Sequence, residues 1–258
     1  MSGAMRVDVA ILAGADNTGR LSEVSDAKYE AMVEIGGKPM VEWVLDGVLS
    51  AKSVDRVVIV GPSDALQPIV DRKNIGDKVL VVERGGDLFD NVMVGLSEIA
   101  DGRKAMIVAG DAVFIKGESL DGFVAMCARD PAEVHYAVVA REAIEAEFPG
   151  VERTYVRLAD GTVTGGNVFM VDPPVVRKNH DIIRKALDMR KNPVALGSLL
   201  GLPIIVKYLL GRLSIADAER RVWNKLRLRG RGVIVPYSDI GVDIDKPSDV
   251  ELALRMLA

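Results

Sequence analysis

Between residues 7 and 140, short apolar runs alternate with helical patterns, and this restricts the fold more than any other feature. The runs cover residues 7–13, 56–61, 78–82, 104–109 and 135–140, and helical spacing fills 40–51, 63–70, 88–100 and 118–127. The runs are nearly continuous rather than alternating apolar and polar, as in strands covered on both faces. Strand–helix–strand repetition of this kind predicts an α/β fold with a doubly wound, mostly parallel, Rossmann-like sheet. Hydrophobic residues make up 49% of the chain and aromatics only 5%, so Val, Ala, Leu and Ile must build the core. The 258 residues suit a single domain, 1–258. Ligands of such sheets bind at the carboxyl ends of the strands. Gly14, Gly61, Gly85 and Asp111 all fall there.

After residue 150 the pattern changes. Residues 153–171 read as a hairpin turning at Asp160-Gly161, followed by another strand. Residues 174–230 look helical, with breaks at Pro193 and Pro203, and form a helical insertion or subdomain in the carboxyl-terminal third. A strand, a loop and a helix close the chain, with Pro247 in the first turn of that helix.

Several classes of function are disfavoured. A net charge of −4 argues against a general nucleic-acid binder. One cysteine, Cys127, precludes a disulfide framework and a cysteine-based zinc site, and is expected to be a packed core thiol. Two histidines disfavour a His-rich metal centre, and His135 reads as a sheet residue. The amino-terminal segment is too short and too weakly basic for a signal peptide. Residues 196–213 approach the length of a membrane span but contain Pro203, Lys207 and Arg212. They are expected to pack as helices against the protein or a second copy, without spanning a bilayer. A sharper reading makes them an apolar lid or interfacial face beside Arg220, Arg221, Lys225, Arg227, Arg229 and Arg231. The expectation is a cytoplasmic protein, with a homodimer as its oligomeric option.

The first strand runs into Gly14-Ala15-Asp16-Asn17-Thr18-Gly19-Arg20, a loop suited to bringing backbone N–H groups up to an anion. The dinucleotide fingerprint fails, because Asp16 stands where its middle glycine belongs. A phosphate-binding P-loop fails too, because Arg20 and Leu21 replace its lysine and hydroxyl residue.

A third pattern fits. Ile11-Leu12-Ala13-Gly14, Arg20, Lys28 and Gly37-Lys38-Pro39-Met40 occur in the order and spacing of the nucleotidyltransferases of the glycosyltransferase-A-like fold. The chain resembles that superfamily, which includes molybdenum cofactor guanylyltransferase-like transferases, over residues 7–172 and 232–257. The resemblance implies a nucleotidyltransferase that joins the NMP of an NTP to a phosphorylated small-molecule acceptor and releases pyrophosphate. It implies Mg2+ as cofactor, with Asp111 and Asp245 as metal ligands and Asp243 as the alternative to Asp245. Arg20, Lys28 and Asp111 are the implied catalytic residues. Leu12, Ala13, Gly14, Gly85, Gly86 and Asn91 would contact the nucleotide. Arg153, Tyr155 and the Thr164-Gly165-Gly166-Asn167 turn, with Gly166 and Asn167, would face the acceptor. Lys38 is expected to be more exposed than Lys28.

The loop is longer than the family's usual one, and Asp16 beside a triphosphate needs an offsetting metal or cation. Two alternatives remain. One is a glycosyltransferase on the same fold, disfavoured because Gly110-Asp111-Ala112-Val113 lacks an Asp-x-Asp motif. The other is a nucleotide-sensing module without turnover.

Overall fold

The computed structural model of the protein describes residues 5–189 and 193–257. Residues 1–4, in the segment too short and too weakly basic for a signal peptide, and residues 190–192 of the helical region lie outside the described residues.

Strand β1 (Val7–Leu12) opens the sheet. Strands β2 (Glu34–Ile35) and β3 (Lys38–Pro39) form a small antiparallel pair that leads into α1 (Met40–Ser50). The core continues through β4 (Val54–Gly61), α2 (Ser63–Lys73), β5 (Val79–Glu83), α3 (Leu88–Ser97), β6 (Lys104–Ala109), α4 (Gly117–Arg129), β7 (Val134–Ala140) and α5 (Arg141–Glu147). The hairpin is β8 (Val156–Leu158) and β9 (Gly161–Val171). Five helices follow, α6 (Pro173–Lys178), α7 (His180–Asp188), α8 (Pro193–Leu200), α9 (Leu202–Leu209) and α10 (Ile215–Leu226). Strand β10 (Gly230–Val235) and helix α11 (Pro247–Leu257) close the chain.

The main sheet has the order β10-β7-β9-β6-β1-β4-β5, with β8 added on β9. β1 pairs in parallel with β4 and β6, and its last residue Leu12 lies beside Val60 and Ala109. The three strands therefore end level, which puts the loops after them on one edge. β9 is antiparallel to β6 and β7, so the sheet is mixed.

Strand alternation sorts the core into two layers. Val57 and Ile59 of β4 face α1, α2 and α4, while Val58 and Val60 face α3 and α6. The apolar runs lack a polar face because both faces are covered.

The turn expected at Thr164–Asn167 is absent, because those residues lie inside the continuous strand β9. The pairing with β7 instead slips between Tyr136 and Val138, a bulge. Gly165 makes room for this. A Cβ there would stand 1.7 Å from the Tyr136 hydroxyl oxygen. Gly161 does turn the hairpin, at φ 132°, a conformation that favours glycine.

Between α8 and α9, Gly201 adopts φ 101°, and Pro203 sits in the first turn of α9. The 196–213 stretch is thus divided between two short helices. None of the described helices is long and apolar enough to cross a membrane. Cys127 is buried, as expected, and burial pushes its thiol up to about 12.

Candidate active site

The level strand ends are fastened by main-chain bonds. The Gly110 N–H donates to the Leu12 carbonyl at 2.9 Å, and the Ala13 N–H to the Val60 carbonyl at 2.8 Å. A Cβ on Gly110 would lie 2.6 Å from the Leu12 oxygen, so glycine is required for this approach. Asp111 follows directly. Its carbonyl accepts the Ile244 N–H at 3.1 Å, which brings the loop before α11 onto the end of β6.

That contact assembles an acidic cluster. Ligand oxygens of Asp111, Asp243 and Asp245 lie within 4.8 Å of one another. Asp111 Oδ1 is buried without a hydrogen-bond partner. Burial first, then the charges of Asp243, Asp245 and Glu30, push the Asp111 carboxyl well above the usual carboxylate range. Burial raises Asp243 as well, opposed by the Arg153 guanidinium. Three convergent hard oxygen donors, one an orphaned buried oxygen, match the donor set of a divalent cation such as magnesium. The sequence posed Asp243 and Asp245 as alternatives, and the fold brings both together with Asp111.

Above the strand ends, the loop after β1 folds onto residues 25–30. Asp16 bridges to Tyr29, the Asn17 N–H donates to the Lys28 carbonyl at 2.9 Å, and the Glu30 N–H donates to the Ala15 carbonyl at 3.0 Å. Asn17 Nδ2 donates to the carbonyls of Ser25 and Ala27 at 3.0 and 2.9 Å. This two-ply flap fixes the backbone under Lys28, whose side chain is exposed. Lys28 Nζ lies 4.9 Å from the Tyr29 ring centroid, and Tyr29 holds the amine above lysine's usual range. Arg20 is also exposed, 3.9 Å from Glu23.

Arg84 supplies the cation that Asp16 requires. Its guanidinium donates to the Gly14 carbonyl at 2.7 Å, pairs with Asp16 at 2.9 Å and lies 5.0 Å from the Tyr29 ring. Nothing in the order of motifs selects Arg84. The available signal was an unbalanced acid in the first loop and an arginine at the end of β5.

The glycines after β5 are tightly framed. The Gly85 N–H donates to Asn91 Oδ1 at 2.7 Å, and a Cβ on Gly85 would meet Asp90 at 2.6 Å. A Cβ on Gly86 would stand 3.1 Å from Asp90 Oδ2, and one on Gly14 would stand 2.7 Å from Asn91 Nδ2. Asn91 is buried and spends its oxygen on the loop backbone. Asp87 caps α3 by accepting the Asp90 N–H at 2.8 Å. Arg184 of α7 pairs with both Asp87 and Asp90. Leu12 and Ala13 lie at the end of β1, with Ala13 buried.

Arg153 is nearly enclosed. It forms an ion pair with the Asp243 carboxylate and donates to the Asp243 carbonyl at 2.8 Å, so it holds an acidic ligand rather than standing free. The Tyr155 hydroxyl and Asn167 Nδ2 are buried without partners. β6 and β9 pair Val108 with Val168, so Asn167 follows in register beside Ala109, two residues from Asp111. Gly166 packs against Ala137 and Ile240. Lys38 corrects an expectation. It is half-buried, 2.7 Å from Asp46 and 3.5 Å from the Trp43 ring centroid, and so less exposed than Lys28.

The chain is similar to known proteins. The 2-C-methyl-D-erythritol 4-phosphate cytidylyltransferase of Nocardia farcinica is 34% identical over 94 residues, 36% of this chain and 41% of that enzyme. The match therefore spans about two fifths of that relative's length. A solved structure described as a hypothetical transferase from Thermus thermophilus superposes with TM-score 0.80 at 33% identity, covering 95% of this chain and all of that one. A CMP:2-keto-3-deoxy-manno-octonic acid synthetase complexed with CTP shares the fold at TM-score 0.59 and 15% identity, over 98% of each chain. The family model of the MobA-like NTP transferase domain matches residues 9–211, and the chain belongs to that family.

Proposed function

We propose that this protein is a magnesium-dependent nucleotidyltransferase that transfers a nucleoside monophosphate from an NTP to a phosphorylated small molecule. The observation that carries this reading is the Asp111–Asp243–Asp245 cluster at the strand ends, where the segment after β1 bears Arg20 and Lys28 and Arg84 joins it from the end of β5. Family membership supports it. The name of the Nocardia relative makes CTP the first donor to try and a sugar-alcohol phosphate the first acceptor class.

In the proposed reaction an acceptor phosphate oxygen attacks the α-phosphorus and the bond to the β-phosphate breaks, so pyrophosphate leaves with its electrons. The attacking oxygen is already anionic, so no general base is required. The protein's task is to hold two polyanions together and balance their charge. Lys28 and Arg20 would hold the β- and γ-phosphates, and Arg84 would keep Asp16 from repelling them. Asp111 and Asp245 would hold magnesium, with Asp243 steadied by Arg153. When bound, the ion neutralises phosphate oxygens. The Gly14 and Gly85–Gly86 backbone would approach the nucleoside, and Asn91 would shape that backbone. Tyr155 and Asn167, with unpartnered polar atoms, would meet the acceptor.

The test is pyrophosphate release with each of the four triphosphates and a panel of phosphorylated acceptors, with and without magnesium. Magnesium-dependent release with one donor is expected. Triphosphate binding without turnover against any acceptor class would favour the sensing module instead. The Nocardia relative is named for a small-molecule phosphate, and a cytoplasmic setting is proposed for this chain.

A further inference from the structure

The helices from α6 to α10 concentrate positive charge. Residues 174–230 hold 13 lysines and arginines against 4 aspartates and glutamates, a net +9 in a chain whose total is −4. The rest of the chain therefore carries a net −13.

On this basic segment, α9 bears an apolar stripe that the described residues leave uncovered. Leu202 is 69% exposed, Val206 45%, Leu209 70% and the following Leu210 63%. Leu202, Val206 and Leu209 recur at helical spacing and share one face. Another face of α9 is committed. Pro203, Ile204 and Lys207 line a cleft of about 180 Å³ with Asp217, Arg220, Arg221 and Asn224 of α10, and Lys207 pairs with Asp217 at 2.7 Å. Ile204 packs beside Gly197 of α8 while Lys207 pairs with Asp217 of α10, and these two contacts leave the α9 leucines outward. Trp223 is exposed too, between the guanidinium groups of Arg227 and Arg229 at 5.9 and 5.7 Å from its ring. Arg221 and Lys225 are spent on the carbonyls of Leu200 and Leu199, which close α8. Arg212, Arg220, Arg227 and Arg229 are exposed and form no ion pair with the described residues.

We propose that this face docks the protein peripherally on an anionic lipid bilayer. The α9 leucines enter the boundary between headgroups and acyl chains, and the four arginines meet lipid phosphates. Charge decides between occupants. A second copy joined through the same face would bring the unpaired arginines of the two copies together. RNA would satisfy the arginines but leave the leucines and valine in water. The eight residues of α9 extend only about 12 Å, far short of a bilayer's roughly 30 Å, so the helix lies in the surface and does not cross it.

The segment also touches both rims of the candidate site. Arg184 reaches the Asp87–Asp90 turn, and the Ala159 N–H at the hairpin tip donates to the Leu213 carbonyl at 2.8 Å. Docking would orient that site relative to the membrane. The proposal stands independently of the transfer reaction.

The experiment is sedimentation of the full chain with vesicles of phosphatidylcholine alone, or with about a third phosphatidylglycerol added. Most of the protein is expected with the anionic vesicles at about 0.1 M salt, little with the neutral ones, and release at about 0.5 M. The double variant Leu202→Glu, Leu209→Glu should lose at least about tenfold in vesicle binding while keeping its melting temperature, since both side chains are exposed. Absence of binding to anionic vesicles would overturn the proposal, as would full binding by the double variant. So would a dimer dissolved by that variant, or retention of RNA, without vesicle binding.

Discussion

Burial disfavours the charge of Asp111, and Asp243, Asp245 and Glu30 stand close enough to disfavour it further. Folding gains nothing from such a group, so its presence at the end of β6 points to a ligand. Asp111→Asn should lower turnover by about 10²-fold or more, because a charged metal ligand becomes neutral. The same change relieves repulsion, so the apo protein's melting temperature should hold or rise. A variant that melts earlier yet turns over normally would contradict both halves. Arg84 makes the opposite case, a cation explained by its neighbours Asp16 and Gly14. Arg84→Ala should raise the triphosphate KM by about tenfold or more, leaving Asp16 unbalanced beside the phosphates. Adding Asp16→Asn should recover part of that loss. If the second change recovers nothing, Arg84 does not act through Asp16.

At the scale of elements, α1 and α2 are tied by a charge network in which Asp46 meets Lys38 and Lys73, and Glu42 meets Lys73 and Arg72. Lys38→Ala removes one ion pair and the contact with Trp43. It should cost about 1 kcal/mol, a drop of roughly 2–4 °C in melting temperature, with the triphosphate KM unchanged. Lys28→Ala should do the reverse, because its side chain stands in solvent. Equal effects of the two on KM would refute the distinction. In β9, Gly165→Ala should destabilise the protein by about 1–3 kcal/mol, because the Tyr136 hydroxyl occupies the space a methyl group needs. A denaturation midpoint equal to the parent's would mean that the bulge yields easily.

For the whole molecule, one buried titratable group in the sheet gives a pH dependence of known sign. His135 is buried in β7, its Nε2 2.8 Å from the Asp130 carbonyl, and burial holds its pKa below 6.5. As pH falls through about 6.5 the unfolded chain takes up a proton that the folded one refuses, so stability is full above that pH and declines below it. Urea midpoints at about pH 7.5 and 5.5 should fall further for the parent than for His135→Gln. Parallel declines would dismiss His135 as the cause. The parallel core was legible from the residues alone, and with it the strand ends that carry Gly14 and Asp111, because apolar periodicity and glycine placement act over a few residues. The break at Pro203 and the start of α11 at Pro247 were legible for the same local reason. Tertiary structure alone decided that Asp243 and Asp245 both meet Asp111, that Arg84 answers Asp16, and that Lys38 turns inward to Asp46. It also placed Thr164–Asn167 inside a bulged strand and left the α9 leucines facing outward. Each of these depends on which strands pair, in what register, and which segments pack over their ends. Apart from Lys38 and Asp46, eight positions apart, those are contacts between residues tens to more than a hundred positions apart, and no local pattern encodes them.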